Sequence, residues 1–241
     1  CPKNIFNDGI VSGVKLDDSD PFTLDGNRLI LVSGTGVYGA DGSEYRTENN
    51  TFVKVKVIGN ANGGPIKFMV WTKSGLIKEY GYTEDSRIQA SGKANVVFWL
   101  LNKVTDTKGN YFTITYAEDN VNGEYHPSRI DYTGNSSSVP VLTPYCSVRF
   151  SYDSRMAANF SYLAGSKSWV SGLLTSIKVY NQETVIKEYQ LDYNNLDGKY
   201  LLHTITEIGM NGDKYNPTTF DWYVNNAFQR TGLTDNSLDA I

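Results

Sequence analysis

Residues 100–116 read LLNKVTDTKGNYFTITY. Leu100-Leu101-Asn102-Lys103-Val104 is rich in apolar residues. Asp106-Thr107-Lys108-Gly109-Asn110 is dense in turn formers, and Phe112-Thr113-Ile114-Thr115-Tyr116 alternates apolar or aromatic residues with threonine. Such runs on either side of a Gly-containing turn form the pattern of an antiparallel hairpin. The arrangement recurs downstream. Ser128-Arg129-Ile130-Asp131-Tyr132 leads through a Ser-rich loop to Val148-Arg149-Phe150-Ser151-Tyr152-Asp153. Leu174-Thr175-Ser176-Ile177 leads to Tyr189-Gln190-Leu191-Asp192-Tyr193, and Leu202-His203-Thr204-Ile205 leads to Thr218-Thr219-Phe220-Asp221-Trp222. Each unit is an outgoing strand, a turn and a return strand ending in an aromatic. A lone hairpin cannot bury both faces, so such units stack or roll into an extended sheet.

Strand signals continue upstream. Arg28–Ser33 is apolar and β-branched, and Phe52–Ile58 alternates Val with Lys at period two. Asn62-Gly63-Gly64-Pro65 is a turn. Lys67–Thr72 and Leu76–Tyr80 form a hairpin around Lys73-Ser74-Gly75. Asn95–Val104 is long enough for a helix, but its Val-Val-Phe-Trp content and the turn behind it favour one strand, with Tyr111–Ala117 as the return. The fold class expected is all-β: mostly antiparallel, extended, twisted sheets built from consecutive hairpins, with little or no helix. Residues 1–222 are expected to form one module, with a subdivision near 134–145 where Gly134–Pro140 is linker-like. Residues 223–241 are expected to be a linker or frayed tail.

Composition narrows the chemistry. The 241 residues carry 22 Lys plus Arg against 26 Asp plus Glu, a formal net charge of -4, which argues against a nucleic-acid face. No apolar run approaches a membrane span. With 2 His, 2 Cys and no suitable spacing, no metal site is expected. Cys1 and Cys146 either pair or remain free thiols. The chain starts at Cys1 rather than Met, as expected of a module excised from a longer protein. A lipid-bearing N-terminal cysteine fits less well, because Pro2 and Lys3 do not form a small polar tether.

The remaining motifs have ordinary structural readings. Gly34-Thr35-Gly36-Val37-Tyr38-Gly39 matches a dinucleotide fingerprint, but a turn sequence follows it rather than a helix, so it reads as a Gly-rich β-turn. Asp17-Asp18-Ser19-Asp20 gathers carboxylates, yet Pro21 and the lack of a bidentate Glu break the calcium-loop pattern, leaving a solvated acidic loop. His126 precedes Pro127 in a turn and His203 lies in a strand, and neither has a partner pattern for catalysis. Trp71, Trp99, Trp169 and Trp222 are read as core residues in preference to a sugar-stacking platform. Asn49, Asn135 and Asn159 fit N-x-S/T acceptors.

Longer segments carry a resemblance. Cys1-Pro2-Lys3-Asn4-Ile5 with Asp8-Gly9 is similar to the CPKTI-x-x-DG opening of the SpvB module. Phe22-Thr23-Leu24-Asp25-Gly26-Asn27-Arg28-Leu29 resembles its F-x-LDG-x-RL signature, and Asp41-Gly42-Ser43-Glu44-Tyr45-Arg46-Thr47-Glu48 its DG-x-EYRTE segment. Phe68–Gly81 resembles F-x-VWTK-x-G-x-x-x-EYG, with Trp71 and Tyr80 at its aromatic positions, and Pro217–Trp222 resembles the PTTF-x-W closure, with Phe220 and Trp222. The SpvB module is the N-terminal part of the B component of insecticidal toxin complexes and of related RHS/YD-repeat proteins. The resemblance implies a non-catalytic β module of a secreted or cell-surface protein, joining strands that wall a shell around a toxin cargo. It implies neighbouring domains of a longer RHS-type polypeptide as partners, and no cofactor. Asp25, Gly26, Asp41, Gly42, Tyr45, Arg46, Trp71, Tyr80, Pro217, Phe220 and Trp222 are its structural motif residues.

In some relatives an ADP-ribosyltransferase domain follows this module. Its Ser-Thr-Ser and Glu-x-Glu elements do not occur here, so that activity is not carried over. This chain departs from a full module in lacking whatever precedes Cys1 and any downstream propeller-like repeats, which leaves a first strand pairing in doubt. Two other readings stay open: a carbohydrate- or surface-binding module using exposed Tyr and Trp, and an enzyme whose pocket sets His126 or His203 beside carboxylates.

Overall fold

The computed structural model describes residues 1–17, 19–61, 64–89, 91–92, 95–196 and 198–222, without the side chains of 155–158. Asp18, the Asn62-Gly63 half of one expected turn, and the expected tail 223–241 lie outside the described residues. The chain runs as α1 (Ile5–Asp8), β1 (Thr23–Leu24), β2 (Asn27–Ser33), β3 (Glu44–Thr47), β4 (Lys54–Ala61), β5 (Gly64–Trp71) and β6 (Ile77–Tyr80). A short 3-10 turn (Glu84–Ser86), β7 (Arg87–Gln89), β8 (Val96–Trp99), β9 (Leu101–Thr105), β10 (Asn110–Asp119) and β11 (Glu124–Asn135) follow. The last strands are β12 (Cys146–Leu163), β13 (Ser166–Asn181), β14 (Thr184–Leu196), β15 (Lys199–Gly209) and β16 (Thr218–Thr219).

The all-β expectation holds. Among the described residues, 14 strands form one antiparallel meander in which each strand pairs with its neighbours in sequence, and β6 passes directly to β9. β7 and β8 form a separate two-stranded sheet. The aromatic-ended hairpins are pairs in that meander: Val104 faces Phe112, Ile130 faces Val148, Ile177 faces Tyr189 and Ile205 faces Thr218.

Four local expectations change, the first being that His126 lies within β11, opposite Ala117, rather than in a turn. Asn95–Val104 is two strands in two sheets rather than one strand. Leu100 is the pivot, its N–H donating to Ser86 O at 2.7 Å and its carbonyl accepting from Gly81 N at 3.0 Å. A run that is apolar throughout carries no periodic mark of such a break. The strand expected from Phe52 begins at Lys54, because Phe52 sits at φ 56, in the left-handed region. The DG-x-EYRTE segment contains a strand, β3, as well as its turn.

The buried apolar residues are Leu29, Tyr45, Val55, Val57, Phe68, Val70, Ile88 and Val104, so the core sits in the N-terminal half. Phe22, Tyr38, Tyr80 and Trp99 pack against it. Beyond β9 the sheet has two unlike faces. One carries the cross-strand row Ile114, Ile130, Val148 and Val179. The other carries Arg149, Lys178 and Glu188, with Arg129 paired to Asp131, Arg149 to Glu183 and Lys178 to Glu188. Most side chains there are only half-buried. Period-two alternation produces this division without a second layer.

Gly81 closes the joint between the two sheets. It has φ 72, and a Cβ there would lie 2.6 Å from Trp99 Cδ1 and 3.1 Å from the Ile66 carbonyl. Gly81→Ala should therefore cost about 2 kcal/mol, from left-handed strain and displacement of Trp99, read as a lower urea midpoint.

Candidate functional site

The motif residues build turns, core and joints. Asp25 (φ 49) and Gly26 (φ 77) form the two-residue turn between β1 and β2, both left-handed as such hairpins require. Asp8 and Arg28, from separate motif segments, form a two-pronged ion pair at 2.5 and 2.7 Å. That guanidinium holds the Asp8 carboxyl down at about 2. Asp41 Oδ1 accepts from Gly59 N at 2.7 Å, and Gly42 N donates to Val57 O at 3.1 Å, fixing the turn before β3 on β4. Tyr45 is fully buried, and its hydroxyl accepts from Gly39 N at 2.7 Å. Arg46 lies opposite Ile30. Trp71 carries the Lys54 ammonium 5.4 Å from its ring centroid. Tyr80 lies opposite Phe68, and burial, with Asp25 and Tyr116 nearby, pushes its phenol up to about 12. Pro217 precedes β16, and Phe220 N donates to His203 O at 2.8 Å.

The Gly34–Gly39 segment is a turn between antiparallel strands, with φ 129, 82 and 81 at its three glycines. The Asp17 and Asp20 carboxylates accept backbone N–H groups of their own loop, from Ser19, Lys15 and Leu16. Cys1 and Cys146 are unpaired. Among the described residues no three His, Cys, Asp or Glu side chains gather as a metal site, and no helix is long and apolar enough to cross a membrane.

The aromatics ending the return strands share one role that sequence reasoning did not find. Each donates to a carbonyl at the far end of its outgoing partner: Tyr116 Oη to Leu101 O at 2.7 Å, Tyr152 Oη to Pro127 O at 3.0 Å, Tyr193 Oη to Leu174 O at 2.8 Å and Trp222 Nε1 to Leu202 O at 2.6 Å. These acceptors lie within one residue of the repeat starts read from sequence. The ring supplies apolar cover and its polar tip occupies a strand carbonyl.

His126 does lie beside carboxylates. It lines a small cavity of about 180 Å3 with Glu118, Asp119, Glu124 and Asp153. Its ring packs on Tyr152 at 4.0 Å. The neighbouring Glu124 is already engaged, accepting from Ser171 N at 2.6 Å, Ser171 Oγ at 2.7 Å and Gly172 N at 2.9 Å. Burial would raise its carboxyl, but these donors outweigh burial and hold it lowered. The β12–β13 register shifts between the Ser154–Gly172 and Asn159–Val170 pairs, and Ser171 lies within that shift, where Glu124 reaches it from β11. This is a strand brace.

Of the four tryptophans expected in the core only Trp99 packs against it; Trp71 and Trp169 are half-buried, and Trp222 is exposed. Trp99 stands edge-on to Phe22 and Phe68 in the aromatic cluster. Trp169 has the Lys167 ammonium 3.7 Å from its ring centroid, covering one face of the ring. A larger cavity, about 690 Å3, lies beside the core and is lined by Asp20, Phe22, Asp25, Phe68, Tyr80 and Trp99 among others.

The family model described as Salmonella virulence plasmid 65kDa B protein, SpvB, matches residues 36–164, more than half of the chain. No curated protein sequence matches. Among solved structures, the N-terminal domain of effector protein SpvB from Salmonella typhimurium strain LT2 is similar at 17% identity and TM-score 0.67, over 82% of this chain and 83% of that one. The Photorhabdus luminescens Tc holotoxin pore, in a TccC3 mutant, is similar at 13% identity and TM-score 0.68, over 84% of this chain. The TcdB2-TccC3-Cdc42 structure is similar at 14% identity and TM-score 0.67, over 85% of this chain. The chain spans only 13% of the length of each of these Tc chains. The fold is thus that of the SpvB N-terminal domain and of a part of the Tc proteins. The family-model match, over turns and strands whose motif residues are placed above, makes this chain a member of the SpvB family.

Proposed function

We propose that this chain is a non-catalytic structural module of an exported, toxin-complex-like protein, forming part of a β wall that supports or encloses a toxin carried by neighbouring domains. The observation that carries the reading is one continuous meander in which an aromatic-to-carbonyl clasp ties the two strands of each hairpin and the β10–β11, β12–β13 and β14–β15 ladders join the hairpins to one another. Family membership and the fold shared with Tc toxin components support it. The motif residues Asp25, Gly26, Asp41, Gly42, Tyr45, Arg46, Trp71, Tyr80, Pro217, Phe220 and Trp222 then act as folding determinants.

The test pairs stability with activity. Tyr193→Phe removes one clasp hydroxyl and keeps the ring, so it should cost about 1 kcal/mol in a urea melt. The purified chain should show no hydrolase or ADP-ribosyltransferase turnover. Turnover that a single substitution abolishes in a still-folded chain would overturn the reading.

A further inference from the structure

We propose that the outer edge of β12 over Asn159–Leu163 pairs antiparallel with the same edge of a second copy of this chain, about a two-fold axis at Ser161. This surface is independent of the wall reading. The β12–β13 hairpin closes through Ala164 (φ 49) and Gly165 (φ 81), the left-handed pair of a two-residue turn. Leu163 and Ser166 flank that turn as a hydrogen-bonded pair. Tyr162–Lys167 and Phe160–Trp169 are therefore the alternate pairs, whose main-chain groups point away from each other. On β13 those outward groups meet the β10–β11 turn: Trp169 N donates to Asn122 O at 3.2 Å, and a Cβ at Gly123 would lie 2.5 Å from the Lys167 carbonyl. On β12 the matching N–H and C=O groups of Phe160 and Tyr162 have no partner among the described residues, and Asn159–Leu163 is exposed throughout.

An open edge is a template for another strand, and this one fits itself. Antiparallel pairing centred on Ser161 sets Phe160 opposite the partner's Tyr162, and Tyr162 opposite the partner's Phe160. Each of these pairs exchanges both main-chain hydrogen bonds and makes a cross-strand aromatic contact. Ser161, a small residue, then meets its own copy at the closely spaced pair on the axis. A shift by two residues in either direction keeps only one aromatic pair. No charged residue lies in Asn159–Leu163, so like charges do not oppose each other across the axis. Phe160 and Tyr162 are 60% and 63% exposed with ring centroids 5.9 Å apart, and pairing covers both.

The test is sedimentation equilibrium of the intact chain over about 5–500 µM. A reversible monomer–dimer equilibrium is expected, half-dimeric at about 100 µM, the weak end for so short an edge. Tyr162→Pro removes an outward N–H and the aromatic pairs but no hydrogen bond of the β12–β13 ladder, so it should leave the chain monomeric with an unchanged circular dichroism spectrum. Should that variant not fold, Phe160→Lys, which keeps every main-chain group, should weaken association about tenfold. The register is read with Ser161→Cys in a Cys1→Ser, Cys146→Ser background. Oxidation by copper phenanthroline should link two copies, because residues opposed on the axis stand at disulfide distance. Tyr162→Cys in the same background should link far less. A monomer at every concentration, association untouched by the folded variants, or equal linking by the two cysteine variants would each overturn the proposal.

Discussion

Tyr45→Ala should lower stability by about 3–5 kcal/mol, the range for truncating a large core aromatic. The side chain is fully buried between Leu29, Val55, Phe68 and Val70 in the core cluster, and Phe22 and Tyr38 pack on its ring at 6.3 and 5.1 Å. Truncation opens a cavity and also orphans Gly39 N, which donates to the Tyr45 hydroxyl at 2.7 Å. Tyr45→Phe separates the two effects. It keeps the ring and loses only the acceptor, so it should cost about 1 kcal/mol. The check is the difference in urea midpoints of the two variants. Near-equal losses would mean that the hydroxyl, and not the ring, holds the core. The phenylalanine variant should leave the turn at Asp41 and Gly42 less protected in hydrogen exchange, because the Tyr45 hydroxyl anchors the chain just ahead of it.

Glu124→Ala should cost about 2–3 kcal/mol and should act at a distance, loosening the β12–β13 hairpin rather than the core. Glu124 takes three donors from Ser171 and Gly172 where the β12–β13 register shifts, so its loss strands two backbone N–H groups of β13. Its carboxyl is held below the ordinary glutamate range in the folded chain. Stability from this group is therefore fully present at neutral pH, above its unfolded value. It is lost as the pH falls from the ordinary glutamate range through the lower folded value. The wild type should lose protection of Ser171 and Gly172 amides over that window. Glu124→Gln should start destabilised, since its amide N–H2 faces donors, and should lack that pH dependence. Hydrogen exchange across the acid range checks both, and an identical acid response in the Gln variant would assign the effect to other carboxylates.

The aromatic endings at Tyr116, Tyr152, Tyr193 and Trp222 show how far local reading reaches. Alternation and turn chemistry lie in consecutive residues, so the hairpins, the all-β class and the Asp25-Gly26 turn were legible. The clasps were half-legible: their spacing is in the sequence, but the acceptor is a carbonyl with no side-chain signature. Glu124 carried no signal, because its donors lie 47 and 48 residues away, at a shift in the β12–β13 register. The large cavity was likewise invisible, since it joins the Asp20 loop to Tyr80 and Trp99 from different strands.

By itself, the sequence determined strand periodicity, turn positions and the family, because these rest on neighbours a few residues apart and on long ordered motifs. Only the tertiary structure decided that Leu100 divides an unbroken apolar run between two sheets, that His126 packs on Tyr152 beside a strand brace, and that the Glu124 carboxylate reaches Ser171 and Gly172. Each depends on a partner from another part of the chain, and a hydrogen bond across such a distance leaves no pattern in consecutive residues.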